Sequence, residues 1–77
     1  MNKKDEICVL FGKAVRRARE ARGLSQEEFA DQVGVHRTYI GGIERGERNP
    51  TLTMINKIAA GLDVSPRDIV PDRPTAT

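Results

Sequence analysis

The side chains able to do chemistry are few, and most of them fall in one stretch. His36 is the only histidine, Cys8 the only cysteine and Tyr39 the only tyrosine among the 77 residues. A histidine without further ligands nearby makes no metal site. A single cysteine forms neither an intrachain disulfide nor a multi-cysteine zinc site, so Cys8 reads as a small, partly buried residue of a reduced protein. Ser, His and Asp all occur, but no spacing arranges them as a triad. The carboxylates Glu27, Glu28 and Glu44 have helix-capping or ion-pair explanations. Neither catalysis nor a metal or other cofactor is expected. What remains is hydrogen-bond donation. Arg37, Thr38 and Tyr39 follow directly on His36, and Arg45, Arg48 and Asn49 come shortly after. A guanidinium is a planar fork of donors, suited to paired acceptors or to phosphate.

These donors need elements to hold them, and residues 25–46 supply two. Ser25 can cap a helix with its hydroxyl, and Glu28 three residues on completes a capping box. Phe29, Ala30 and Val33 then share one face before Gly34 breaks the run. A second stripe, Ile40 and Ile43, runs to a stop at Gly46. Two short helices joined by a three- or four-residue turn containing Gly form a helix-turn-helix pattern. Ala30 is small enough for a close crossing, and Gly34 can take the left-handed conformation of a sharp turn.

The flanking segments read as support. Residues 1–4 are expected to be a frayed start. Over residues 5–22, Ile7, Phe11, Ala14, Val15 and Ala18 recur at helical spacing, with Asp5 and Glu6 near the positive end of that helix. Thr51 caps a fourth helix over residues 52–61, with Leu52, Ile55, Ile58, Ala59 and Leu62 as its inner stripe. Ser65, Pro66 and Asp68 start a short fifth helix that Pro71 ends. The expectation is therefore an all-α, compact five-helix domain over residues 5–70 and a disordered tail over residues 71–77. One domain of this size has a thin core, so subunit association or ligand binding is expected to add stability. Thirteen Lys+Arg against eleven Asp+Glu leave only +2, so distribution says more than net charge. Lys13, Arg16 and Arg17 lie beside the first stripe, either as a solvated face or as phosphate attractors. No apolar run is long enough for a transmembrane helix and no signal-peptide core follows the start, so no membrane partner and a cytoplasmic location are expected.

The run SQEEFADQVGVHRTYIGGIERGERNPTL resembles the Cro/CI-type helix-turn-helix of phage repressors, the XRE family. Gln26, Ala30, Gly34, Ile40, Ile43, Glu44, Gly46 and Asn49-Pro50 follow that pattern without insertion, and the likeness spans about residues 11–70. With the short length, the run HRTYIGGIERGERNPTL looks most like the controller proteins of restriction–modification systems, small dimeric regulators that time expression of the restriction enzyme. The resemblance implies a lambda-repressor-like domain and a double-stranded DNA partner.

Within that frame the donors take roles. A helix in the major groove reads bases with side chains near its N-terminus, here Arg37, Thr38 and Tyr39. Arg37 can donate two hydrogen bonds to guanine O6 and N7. Tyr39 can stack on a base, bond a phosphate, or pack against the first helices. His36 is a helix cap or a DNA-backbone contact. Gln26, Arg45, Arg48 and Asn49 match the family's phosphate-gripping positions, with a salt bridge or a solvated loop as the other reading. Arg19 and Glu44 look like a partly buried ion pair, although in some controller proteins the equivalent arginine turns toward DNA. Gly41 and Gly42 are costly inside a helix. They reflect close approach to DNA or a neighbouring subunit, or tolerance at exposed positions. The resemblance places a homodimer interface among Met54, Ile58, Leu62, Val64, Ile69 and Val70, a set that also holds core residues. A two-fold dimer implies a palindromic operator, and binding would block or recruit RNA polymerase according to operator position. The other reading is a protein-interaction module, as in antitoxins and adaptors, although such a module has no need of Arg37 beside Arg45 and Arg48.

Overall fold

Each α-helix begins on a residue whose side chain can accept a hydrogen bond from the free amides of the first turn. In the computed structural model, which describes residues 5–72, the order is α1 (Glu6–Ala21), α2 (Gln26–Val33), α3 (Arg37–Glu44) and α4 (Leu52–Leu62). The expected frayed start at residues 1–4, and residues 73–77 of the expected tail, lie outside the described residues. Asp5 Oδ1 accepts from the Ile7 amide at 3.0 Å, and Thr51 Oγ1 from the Met54 amide at 3.1 Å. Ser25 and Glu28 form both bonds of the capping box, at 3.0 and 2.8 Å. Gly34, at φ 89°, closes α2 in the left-handed conformation that glycine adopts without a Cβ clash.

The fifth helix expected from Ser65, Pro66 and Asp68 is not an α-helix. Pro66–Asp68 is a single 3-10 turn, so the domain has four α-helices, and the described residues contain no strand. The Ser65 amide does donate to Asp68 Oδ2 at 3.0 Å, as its cap residues suggest. Pro71, however, disfavours helical backbone at Val70, and too few residues separate the two prolines for the turn to propagate.

Phe29, Ile40, Ile43, Ile58, Leu62 and Val15 are fully buried, joined by Phe11, Ala30, Ala59 and Ile69. Three of the six residues offered for a dimer interface are thereby corrected: Ile58, Leu62 and Ile69 are 0%, 1% and 3% exposed in the single chain. They face α1–α3 because α4 and the 3-10 turn have only this one core to cover. Met54 and Val64 are half-buried against the core, and Val70 is 42% exposed. Leu52, read as part of the inner stripe, is 78% exposed, since it is the first residue of α4 and lies at the edge of the core.

Helix α1 meets the end of α3 at Gly12. A Cβ there would strike the Ile43 carbonyl oxygen and lie 2.7 Å from that of Glu44. The two backbones come together where no side chain intervenes.

Candidate nucleic-acid interface

The turn from α2 into α3 leaves the start of α3 in solvent. His36 Nδ1 accepts from the Thr38 amide at 3.0 Å, so His36 caps the helix. Arg37 and Thr38 are exposed. The Arg37 guanidinium lies 4.0 Å from Glu27 on α2, an exposed pair worth little in water. Tyr39 is half-buried, packed on the core at one edge and presenting its other side to Arg48, whose guanidinium carbon is 5.6 Å from the ring centroid. This is cation–π range.

Beneath this start lies a polar network. Arg19 on α1 donates from Nε to Glu44 Oε2 at 2.6 Å and from Nη2 to Glu44 Oε1 at 3.0 Å. Its Nη1 donates to the Leu24 carbonyl at 2.7 Å. Both residues are buried, at 8% and 9% exposure. Paired fork to fork, each charge has its complement, and the Glu44 hydrogen bonds push the Arg19 pKa further up. Gln26 joins them: its Nε2 donates to the same Glu44 Oε1 at 3.0 Å. One of its two amide hydrogens is thus committed inward and one remains for an outside acceptor. The described residues leave no buried side-chain nitrogen or oxygen without a partner.

Arg45 and Arg48 follow the end of α3. Arg45 Nε pairs with Glu47 Oε2 at 3.1 Å, a salt bridge of the kind the sequence left open for this loop, and this raises the pKa of Arg45. Gly41 and Gly42, read as either close-approach or exposed positions, are buried, and Arg45 and Arg48 lie over them. Asn49 stands apart. It borders a small apolar groove of about 60 Å³ lined by Ile7, Cys8, Phe11, Pro50, Ile55 and Val70. Burial, with Asp5 adding to it, pushes the Cys8 thiol up and disfavours its reactive thiolate. No group of three or more His, Cys, Asp or Glu among the described residues is placed to hold a metal ion. No helix among them is long and apolar enough to cross a membrane.

Two helices in contact, α2 and α3, joined by a turn through Gly34 and with the polar start of the second left open, define a helix-turn-helix domain. The chain belongs to the HTH_3 helix-turn-helix family, whose model matches residues 15–69. It is 45% identical over 67 residues to the control protein C.BamHI of Bacillus amyloliquefaciens, covering 86% of this chain and 83% of that protein. Its fold is similar to the crystal structure of the restriction–modification controller protein C.AhdI from Aeromonas hydrophila, with TM-score 0.78 and 48% identity over 80% of this chain and 94% of that one. It is also similar to the restriction–modification controller protein C.Esp1396I, solved as a tetramer in complex with its natural 35 base-pair operator. There the TM-score is 0.75, with 34% identity over 79% of this chain and 80% of that one. These relatives are regulators, the class to which this chain's family assigns it.

Proposed function

We propose that the protein is a sequence-specific regulator that binds a palindromic operator as a homodimer and controls expression of restriction–modification genes. The observation that carries this is the exposed start of α3, where Arg37 has only a loose ion pair with Glu27, held on a fold shared with controller proteins. Arg37 and Thr38 read base edges, and Tyr39 supports them from the rim of the core. Arg45, Arg48, Asn49, His36 and the free amide hydrogen of Gln26 contact phosphates and set register. Arg19 stays with Glu44 instead of turning to DNA, a role supported by its three hydrogen bonds within the fold.

The dimer is assigned to the apolar face that the single chain leaves open: Leu52 and Val70, the groove beside Ile7 and Pro50, and the exposed edges of Met54 and Val64. Two-fold pairing there would set two recognition helices about 34 Å apart, one turn of DNA. Operator position relative to the promoter then decides whether RNA polymerase is blocked or recruited.

The test is a gel shift against the DNA upstream of the protein's own gene at several salt concentrations. Specific binding should fall steeply as salt rises. Arg37→Ala should relax base choice at one operator position by ~1–3 kcal/mol, whereas Arg48→Ala should weaken all sequences alike. If both variants bind as the parent does, the reading of α3 is wrong.

A further inference from the structure

Gly41 and Gly42 sit in the interior of α3, where glycine is the worst residue short of proline for helix stability. Gly12, the other interior helical glycine that touches α3, has an evident cause, since a Cβ there meets backbone carbonyls. The surroundings of the α3 pair are different. A Cβ at Gly41 would lie 3.0 Å from Arg45 Nη1 and 3.6 Å from Gln26 Oε1. One at Gly42 would lie 3.1 Å from Arg48 Cγ and 3.4 Å from its Nε. Among the described residues, and apart from α3's own backbone, none of the three nearest atoms at either position is backbone. Both glycines are buried, and the atom nearest to a Cβ at each belongs to the side chain of one of the two arginines beyond the helix end.

The spacing makes this more than coincidence. Gly41 is one turn beyond Arg37 and one turn before Arg45, so the three share a face. Gly42 is one turn beyond Thr38 and three residues beyond Tyr39, whose ring carries the Arg48 guanidinium. The arginines therefore lie back along the face that begins with the base-reading residues. Arg45 is held by Glu47 on one side and enters the gap above Gly41 on the other. Arg48 runs its stem over Gly42 and rests its head on Tyr39. A long side chain ordered before binding has less freedom to lose when it meets its acceptor.

We propose that Gly41 and Gly42 are positioning residues that seat Arg45 and Arg48 on the outer face of α3, pre-orienting both guanidiniums toward DNA phosphates. The proposal rests on the reading of Arg45 and Arg48 as backbone contacts. It explains why poor helix formers stand in the one helix whose shape matters most.

The test uses full-length protein and a duplex selected from a random-sequence pool with the parent protein, titrated by fluorescence anisotropy across a salt series. Gly41→Ala and Gly42→Ala should each raise Tm, on the order of 4–8 °C, because the atoms in the way are flexible side-chain ends. Each should nonetheless bind about tenfold more weakly, the loss of one charge-assisted hydrogen bond, with a salt slope shallower by about one. The decisive arm is non-additivity. Gly41→Ala should cost nothing further in an Arg45→Ala background, and Gly42→Ala nothing further in Arg48→Ala. Parental affinity and slope in the glycine variants would overturn the proposal. So would a loss that persists undiminished without the arginine, because the new methyl would then be colliding with DNA itself. If Arg45→Ala and Arg48→Ala bind like the parent, the backbone-contact reading falls and the seating proposal falls with it.

Discussion

The α1–α3 contact and the far end of α4 solve the same problem, a thin core, in opposite ways. Between α1 and α3 everything is matched within the chain: Arg19 on Glu44, Glu44 on Gln26, Gly12 against two carbonyls. Around α4 and the 3-10 turn the inner faces are buried, but Leu52, Val70 and a lined groove remain open. Polar pairing and close backbone packing are unforgiving and fix an angle. Apolar surface is tolerant and fixes little until something covers it. One region is therefore complete as a monomer, and the other is suited to association.

Substitutions can separate the two. The largest effect should come from Glu44→Ala, which strands the buried Arg19 charge. A loss of ~3–5 kcal/mol would match the whole stability of a domain this small, so urea titration should find the variant largely unfolded at 25 °C. Gly12→Ala should cost about 1–3 kcal/mol through overpacking against α3, read as a lower urea midpoint with an unchanged m-value. At the other region, Leu52→Asp with Val70→Asp should change monomer stability by no more than about 0.5 kcal/mol. Sedimentation equilibrium should nonetheless show weaker self-association, and unchanged association would move the interface elsewhere. Arg16→Ala, which removes the exposed pair with Glu20, should be smallest, about 0.3–0.5 kcal/mol by thermal melt. If it rivals Glu44→Ala, burial is not what sets the contrast.

Much of the fold could be read from local signals. Ser25 with Glu28, Thr51 ahead of Leu52 and Gly34 after Val33 act within a turn of where they stand, so the sequence shows them directly. The buried ion pair came through family likeness, because nothing local to Arg19 points to Glu44, twenty-five residues away. Gly12 was not legible: its reason for being glycine lies across the α1–α3 crossing, in carbonyls that carry no side-chain signature. The fifth helix failed where two local signals conflicted, a good cap at Ser65 and a proline too soon after it. Ile58, Leu62 and Ile69 could not be sorted from interface residues, since burial by one's own chain and burial by a partner demand the same side chains. At the site, the sequence placed the donors but not Glu47 beside Arg45, nor the arginines over Gly41 and Gly42, because loop side chains fold back in ways periodicity does not encode.

The Arg19–Glu44 pair lies on the buried side of α3, while Arg37 and Thr38 lie on the open side, where Arg37 meets only Glu27 at 4.0 Å among the described residues. On the proposed reading of α3, holding the helix and using it thus fall to separate side chains. New residues at positions 37 and 38 could redirect the protein to another target while its folding stability stays nearly unchanged, so one scaffold can serve many addresses.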